Sequence, residues 1–456
     1  MFRRPVLVLA LAACSAPAAP PARPEPPRAD VDPDGPHRAA VAAQIQPFLD
    51  AEVLSGVVIG LYDAGKREIY GFGAGPGGKP PTGGTLFELG SVTKVYTGLL
   101  LADAVQRREI TLDAPVADLL PPGITVPTKD KIAITLKHLM LHSSGLPRLP
   151  PSLNAPKPDP YARYGEEQLY QDLLATELVT PPGTKIVYSN YGAGLLGFAL
   201  GRKHGGGYAS ALQERVLTPL GLRDTYLGFP AGAPRAEGTN EDLQPMVPWT
   251  FDALAGAGAL VSNTRDQLAL IDAELDAAAG SKAPLRGPMR LSQEPRLDKI
   301  GDNAGLGWQI DKAGRYWHNG GTGGFHAFVG FDPKARRGIV ILAATSTSLV
   351  DHLANSLYKL LENESPPPVT FPTPEQLAPL VGSYDFSGTK LLISAVGKRL
   401  YIEGPGEPKH RLLPLSETEF FLESLQAVVV FQKDGDQVAR IVFAIGDHTL
   451  TAARLP

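Results

Sequence analysis

Cysteine is almost missing from this chain: its 456 residues contain one, Cys14. No intrachain disulfide can form, so the fold is indifferent to oxidising surroundings. Apolar runs are short as well, and none approaches the roughly 20 residues that a membrane-spanning helix needs. Charge of one sign is equally scarce. The net charge is −4 and there is no long basic run, which argues against nucleic acid as the main partner. His138 and His142 are four apart, but the glutamate of a zinc-protease helix is lacking between them and no third ligand is evident. "GPGGKPPTGG", residues 75–84, lacks the Gly-Lys-Ser/Thr of a phosphate loop and reads as a surface loop. No metal and no cofactor is expected. His204 and His326 have no visible partner.

Hydrophobic residues make up 43% and charged residues 20%. This is ordinary globular composition that can support a large core, and the length favours more than one domain. The single cysteine follows a basic start, Met1-Phe2-Arg3-Arg4, and an apolar run from Val6 to Ala13. That order reads as a secretory signal over residues 1–13. Leu11-Ala12-Ala13-Cys14 also resembles the lipobox of bacterial lipoproteins. The resemblance implies lipidation of Cys14, a membrane anchor, and residence in the periplasm or cell envelope. The plainer reading is a signal peptide that happens to contain a cysteine. Residues 14–36 are Ala/Pro-rich and read as an extended tether.

A main body is expected over residues 37–363. Ala39 to Leu54 has helical apolar spacing, and two strand-like runs flank a turn at Asp63-Ala64-Gly65. A long helical, Pro/Gly-punctuated stretch follows. Strands return at "GLGWQI", "FHAFVGFD" and "RRGIVILAAT", and "SLVDHLANSLYKLLEN" closes the body as a helix. This order predicts an α/β (α+β) fold: an antiparallel sheet flanked by helices, with an inserted helical region and a cleft between the two. A proline-rich linker is read at 364–375. Residues 376–456 form a small C-terminal all-β domain of sandwich or barrel type, with a hairpin at Asp434-Gly435.

Three polar stretches stand out. In "LGSVTKVYTG", Ser91 and Lys94 lie three apart at the head of an apolar helix, on one face and one turn apart. A serine needs a neighbour to take its proton, and a lysine can do so once burial lowers its pKa. The same spacing also suits an N-cap serine and a surface lysine. In "KIVYSNYG", Tyr188 and Asn190 can point together from a loop tip, or simply make a turn. Tyrosine serves as acid or base when cations hold its pKa down. In "WHNGGTGGFHAF", four glycines in the five positions after Asn319 let a ligand approach the backbone, whose N–H groups can complete an oxyanion hole.

Taken together and in order, Ser-x-x-Lys, Tyr-x-Asn and His-x-Gly resemble the serine β-lactamase and penicillin-binding-protein superfamily, on its class C side with D-peptidase and esterase relatives. "ITLKHLMLHSSGLP", "LTPLGLRDTYL" and "GAGALVSNTRDQLAL" support the resemblance, which covers residues 37–363. It implies that Ser91 is the acylated nucleophile, that Lys94 and Tyr188 share the proton transfers, and that Asn190 contacts Lys94 and the substrate amide. It also implies an oxyanion hole from the backbone N–H groups of Ser91 and Gly321, with Gly320 closing the motif, and a structural role for His142. His318 replaces the lysine of Lys-Thr-Gly and Asn319 its threonine, which weakens the carboxylate grip of an efficient β-lactamase. The implied activity is a serine hydrolase acting on a small-molecule or peptide amide or ester. A D-Ala-D-Ala-type peptidase comes first, then a carboxylesterase, then a β-lactamase, with a non-catalytic penicillin-binding sensor or interaction module as the alternative.

Overall fold

The structure is a computed structural model that describes residues 31–153, 158–280, 284–296, 303–435, 437–446 and 448–456. The signal segment, Cys14 and the tether up to residue 30 lie outside the described residues. Among the described residues, no helix is long and apolar enough to cross a membrane.

The body begins with helix α1 (Arg38–Asp50) and the hairpin β1 (Gly56–Asp63) and β2 (Lys66–Gly73). Asp63 pairs with Lys66 across a two-residue turn in which Ala64 and Gly65 have φ of 48° and 99°. Both left-handed residues suit the twist of a tight hairpin. After the inserted region come β3 (Gln309–Ile310), β4 (Tyr316–Gly321), β5 (His326–Asp332) and β6 (Arg337–Ala343). The six strands form one antiparallel sheet in the order β2-β1-β6-β5-β4-β3. The run Val57–Tyr62 is apolar throughout because both faces are covered. Val57 and Ile59 meet α1 and the closing helix α5 (Val350–Leu361); Val58 and Tyr62 belong to the core on the other face.

The inserted region carries helices α2 (Thr93–Gln106) and α3 (Asn190–His204), and α4 (Thr264–Ala278) packs on the sheet. Three short strands not expected from the sequence, Phe87–Glu88, Tyr226–Leu227 and Leu260–Ser262, form a second small sheet. Strands of two or three residues are too short to display a period.

The C-terminal strands, from Gly382–Phe386 to His448–Arg454, make a closed eight-stranded antiparallel barrel. Tyr384 pairing with Arg454 seals it. The barrel is docked. Arg411, 1% exposed, donates to the carbonyls of Ala51 (3.2 Å), Glu52 (2.9 Å) and Glu241. Arg399 bonds Glu52 at 2.8 Å, and the Tyr401 hydroxyl donates to Asp242 at 2.8 Å. The proline-rich stretch before it is packed too: Phe371 meets Phe48 edge to face, 4.9 Å between ring centres. The tether's end likewise joins the body, Asp32 N–H donating to the Ile69 carbonyl at 2.8 Å.

Arg411→Met would leave three carbonyls without their donor, each costing about 1–3 kcal/mol. Calorimetry is expected to show the barrel melting earlier and separately from the body. A single unchanged transition would contradict this docking role.

Candidate active site

Helix α2 is largely apolar around its circumference, and it is buried from Thr93 to Ala104. A 3₁₀ turn, Gly90–Val92, feeds it. Gly90 has φ of +50°, and a Cβ there would stand 2.8 Å from the Gly321 carbonyl oxygen. A Cβ on Gly320 would stand 2.0 Å from the Leu89 oxygen and 2.6 Å from the Ser91 nitrogen. Two glycines thus let β4 lie directly against the turn that carries Ser91.

Lys94 is fully buried. Its Nζ lies 3.0 Å from Ser91 Oγ, and donates to Asn190 Oδ1 at 2.9 Å and to the Ala257 carbonyl at 2.7 Å. Burial first, and the positive charge of Arg148 second, hold Lys94 well below its ordinary pKa. A neutral amine has two N–H donors and one lone pair. Asn190 Oδ1 and the Ala257 oxygen can only accept, so they take the two donors, and the lone pair is left for the Ser91 hydroxyl.

Ser189 holds Tyr188 and Asn190 at one loop tip. It caps α3, accepting from Gly192 N–H at 2.9 Å, and donates to the Pro147 carbonyl at 2.7 Å. Asn190 Nδ2 donates to the Tyr161 hydroxyl at 2.9 Å, which fixes the orientation of its amide. The Ser91 hydroxyl is close enough to favour the ionised form of the Tyr188 hydroxyl, and Lys94 Nζ lies 4.9 Å from the Tyr188 ring centre. Burial outweighs the Ser91 hydroxyl and the Arg148 charge and pushes Tyr188 up to about 12, so it stays a proton donor.

His318 is buried and pushed down to about 4, by burial first and the Lys94 charge second. Its Nδ1 donates to the Asn319 carbonyl at 2.6 Å, leaving Nε2 with a lone pair. Asn319 does not share this face. Strand alternation turns its side chain to the opposite face, where Nδ2 donates to Asp351 at 2.5 Å. Its replacement of a threonine therefore does not reach the cleft. His326 and His204 do have partners, Asp351 at 2.9 Å and Glu214 at 3.1 Å.

Sequence reasoning missed Arg148, Tyr161 and Ala257. The Arg148 guanidinium is exposed and lies 5.3 Å from the Tyr188 ring centre. Tyr161 stacks on Phe251 at 4.5 Å, with Trp249 at 5.5 Å. Arg148 directly follows the Ser-Gly-Leu-Pro segment, which was the one available signal. His142 accepts from Ser189 N–H at 3.2 Å and packs its ring 4.3 Å from that of Tyr188. Among the described residues, no acidic, histidine or cysteine cluster could hold a metal.

A buried lysine aimed at a serine beside a glycine strand is the arrangement of an acyl-transfer serine hydrolase. Residues 41–364 match the Beta-lactamase family, and the chain belongs to it. It is a serine hydrolase of the acyl-enzyme type. The D-alanyl-D-alanine-carboxypeptidase/endopeptidase AmpH of Escherichia coli (strain K12) is 27% identical over 310 residues, 64% of this chain and 80% of that protein. The Beta-lactamase of the same strain is 28% identical over 340 residues, 66% of this chain and 86% of that protein. The crystal structure of Beta-lactamase/D-alanine Carboxypeptidase from Yersinia pestis complexed with citrate overlays with a TM-score of 0.62 at 25% identity, covering 71% of this chain and 98% of that one.

Proposed function

We propose that this enzyme cleaves D-Ala-D-Ala-type peptides or related D-peptides through an acyl-enzyme on Ser91. Ser91 Oγ attacks the carbonyl carbon and its proton passes to neutral Lys94. The oxyanion is held by the backbone N–H groups of Ser91 and Gly321. Collapse breaks the C–N bond, and the Tyr188 hydroxyl, re-protonated from Lys94, gives the leaving amine its proton. Water then releases the acyl group by the same proton path in reverse.

The observation that carries the choice of substrate is Arg148. With His318 neutral, the guanidinium over Tyr188 is the charge suited to a free peptide carboxylate. The name of one relative, a D-alanyl-D-alanine-carboxypeptidase/endopeptidase, supports the same reading. The neutral Nε2 of His318 favours a carboxylesterase as the second reading, because it accepts a hydrogen bond and offers no charge.

A panel of D-Ala-D-Ala peptides, short-chain p-nitrophenyl esters and a chromogenic cephalosporin tests this. Arg148→Ala is expected to raise KM for the peptides about tenfold or more, roughly 1.4 kcal/mol, and to leave KM for neutral esters near wild type. Equal effects on both classes would transfer the assignment to the esterase reading. His318→Lys is expected to raise cephalosporin turnover by restoring a cation.

We also propose that Cys14 is lipidated and holds the enzyme at the cell envelope, on the strength of Leu11-Ala12-Ala13-Cys14. Labelled palmitate should enter the wild type and not Cys14→Ala.

A further inference from the structure

The barrel has two unlike ends. One is plugged: the helix Pro374–Leu377 and the turn Ala378–Leu380 lie across it, with Leu377 and Leu380 buried. The Tyr384 hydroxyl donates to the Leu380 carbonyl at 2.8 Å and ties the plug in place. The middle of the lumen is filled by Tyr384, Ile393, Leu400, Leu412 and Phe420, all 1% exposed or less.

The other end is open. On six of the eight strands the same inward face continues toward this end with Phe386, Leu391, Ile402, Leu422, Phe443 and Leu450. Phe386 meets Phe443 edge to face, 6.1 Å between ring centres, and the end above them stays unfilled. They line an open cavity of about 640 Å³, within the roughly 300–1,000 Å³ of small-molecule sites. Leu450 faces inward and is still 44% exposed, and Leu425 on the rim is 53% exposed. The barrel is therefore packed at its plugged end and centre, and the apolar mouth is the part with room for one small ligand.

The rim sets the ligand's charge. Glu403, Glu407 and His410 border the mouth. Glu403 has only a distant partner, Lys409 at 3.9 Å, and Glu407 has no ion-pair partner among the described residues. Anionic heads are repelled there.

We propose that the barrel mouth binds a single-chain amphiphile, the end of its hydrocarbon chain in the apolar mouth and a cationic head beside Glu403 and Glu407. The site is separate from the Ser91 cleft and does not depend on the substrate assigned to it.

The test uses the full chain with Ser91 blocked by a phosphonate, so that the catalytic cleft is closed. N-phenyl-1-naphthylamine fluorescence should rise saturably with one site per chain. Dodecyltrimethylammonium should displace it at a concentration at least tenfold below that needed with dodecanoate. Leu450→Arg should weaken probe binding at least tenfold while the unblocked variant keeps wild-type ester hydrolysis and melting. Glu407→Gln, at an exposed rim position, should narrow the preference for the cationic head with melting unchanged. Absence of saturable binding, equal affinity in Leu450→Arg, or equal displacement by the two amphiphiles would overturn the proposal.

Discussion

Ser91→Ala is expected to bring p-nitrophenyl ester hydrolysis down to the residual rate of the cleft alone, a loss on the order of 10⁴-fold or more. The hydroxyl is the one partner of Lys94 that can give up a proton; the Asn190 and Ala257 oxygens cannot. Lys94→Met removes the acceptor instead and should cost nearly as much. The double variant should be no worse than either single one, because the two groups act as a unit. Steady-state kinetics and intact mass after phosphonate treatment measure both parts. Unchanged hydrolysis in Ser91→Ala would remove it as nucleophile.

The same pair sets the pH profile. Protonated Lys94 has no lone pair, so kcat/KM should fall as pH drops through its depressed pKa and level off above it. Arg148 helps to hold that pKa down. Losing its charge in Arg148→Ala raises the pKa, so the acid limb should move to higher pH. Tyr188, pushed up to about 12, stays protonated and adds no alkaline limb up to about pH 10. A limb that stays put in Arg148→Ala would separate Lys94 from the titration.

Gly320→Ala is the second large effect. The new methyl group would meet the Leu89 oxygen at 2.0 Å and the Ser91 nitrogen at 2.6 Å. Both are backbone atoms, so no rotamer relieves the contact. Either β4 or the turn that carries Ser91 must move. Overpacking of this kind costs about 1–3 kcal/mol, and displacing a nucleophile by about 1 Å costs on the order of 10²-fold in rate. We expect kcat to fall at least that far, with a lowered Tm. A Cβ on the adjacent Gly321 finds nothing closer than His326 Nδ1 at 3.7 Å. Gly321→Ala should therefore stay within about tenfold of wild type. If the two variants lose rate equally, close packing of β4 on Ser91 is not what matters.

How much of this was legible in the sequence depends on the range of the interaction. Ser91 and Lys94 are one helical turn apart, and Tyr188 and Asn190 flank one N-cap, so spacing alone pairs them. The same holds for the Asp63–Lys66 hairpin, whose turn residues dictate its geometry. His318 could be read as uncharged from its ordinary pKa, and burial deepens that to about 4.

The sequence by itself determined the motifs, the alternation of the strands, and which helix had to be buried, because these rest on periods of a few residues. Only the tertiary structure decided what those residues do to one another. Lys94 meets Asn190 and Ala257 from far along the chain, and burial comes from every element packed around it. Tyr188 is pushed up because desolvation outweighs the charge of Arg148. Asn319 was placed at the cleft by adjacency to His318 and sits on the opposite face by strand pleat. The open barrel mouth is likewise invisible in sequence. Inward-facing apolar residues look the same whether they meet across a lumen or not, and only the closure of eight strands sets the distance between them.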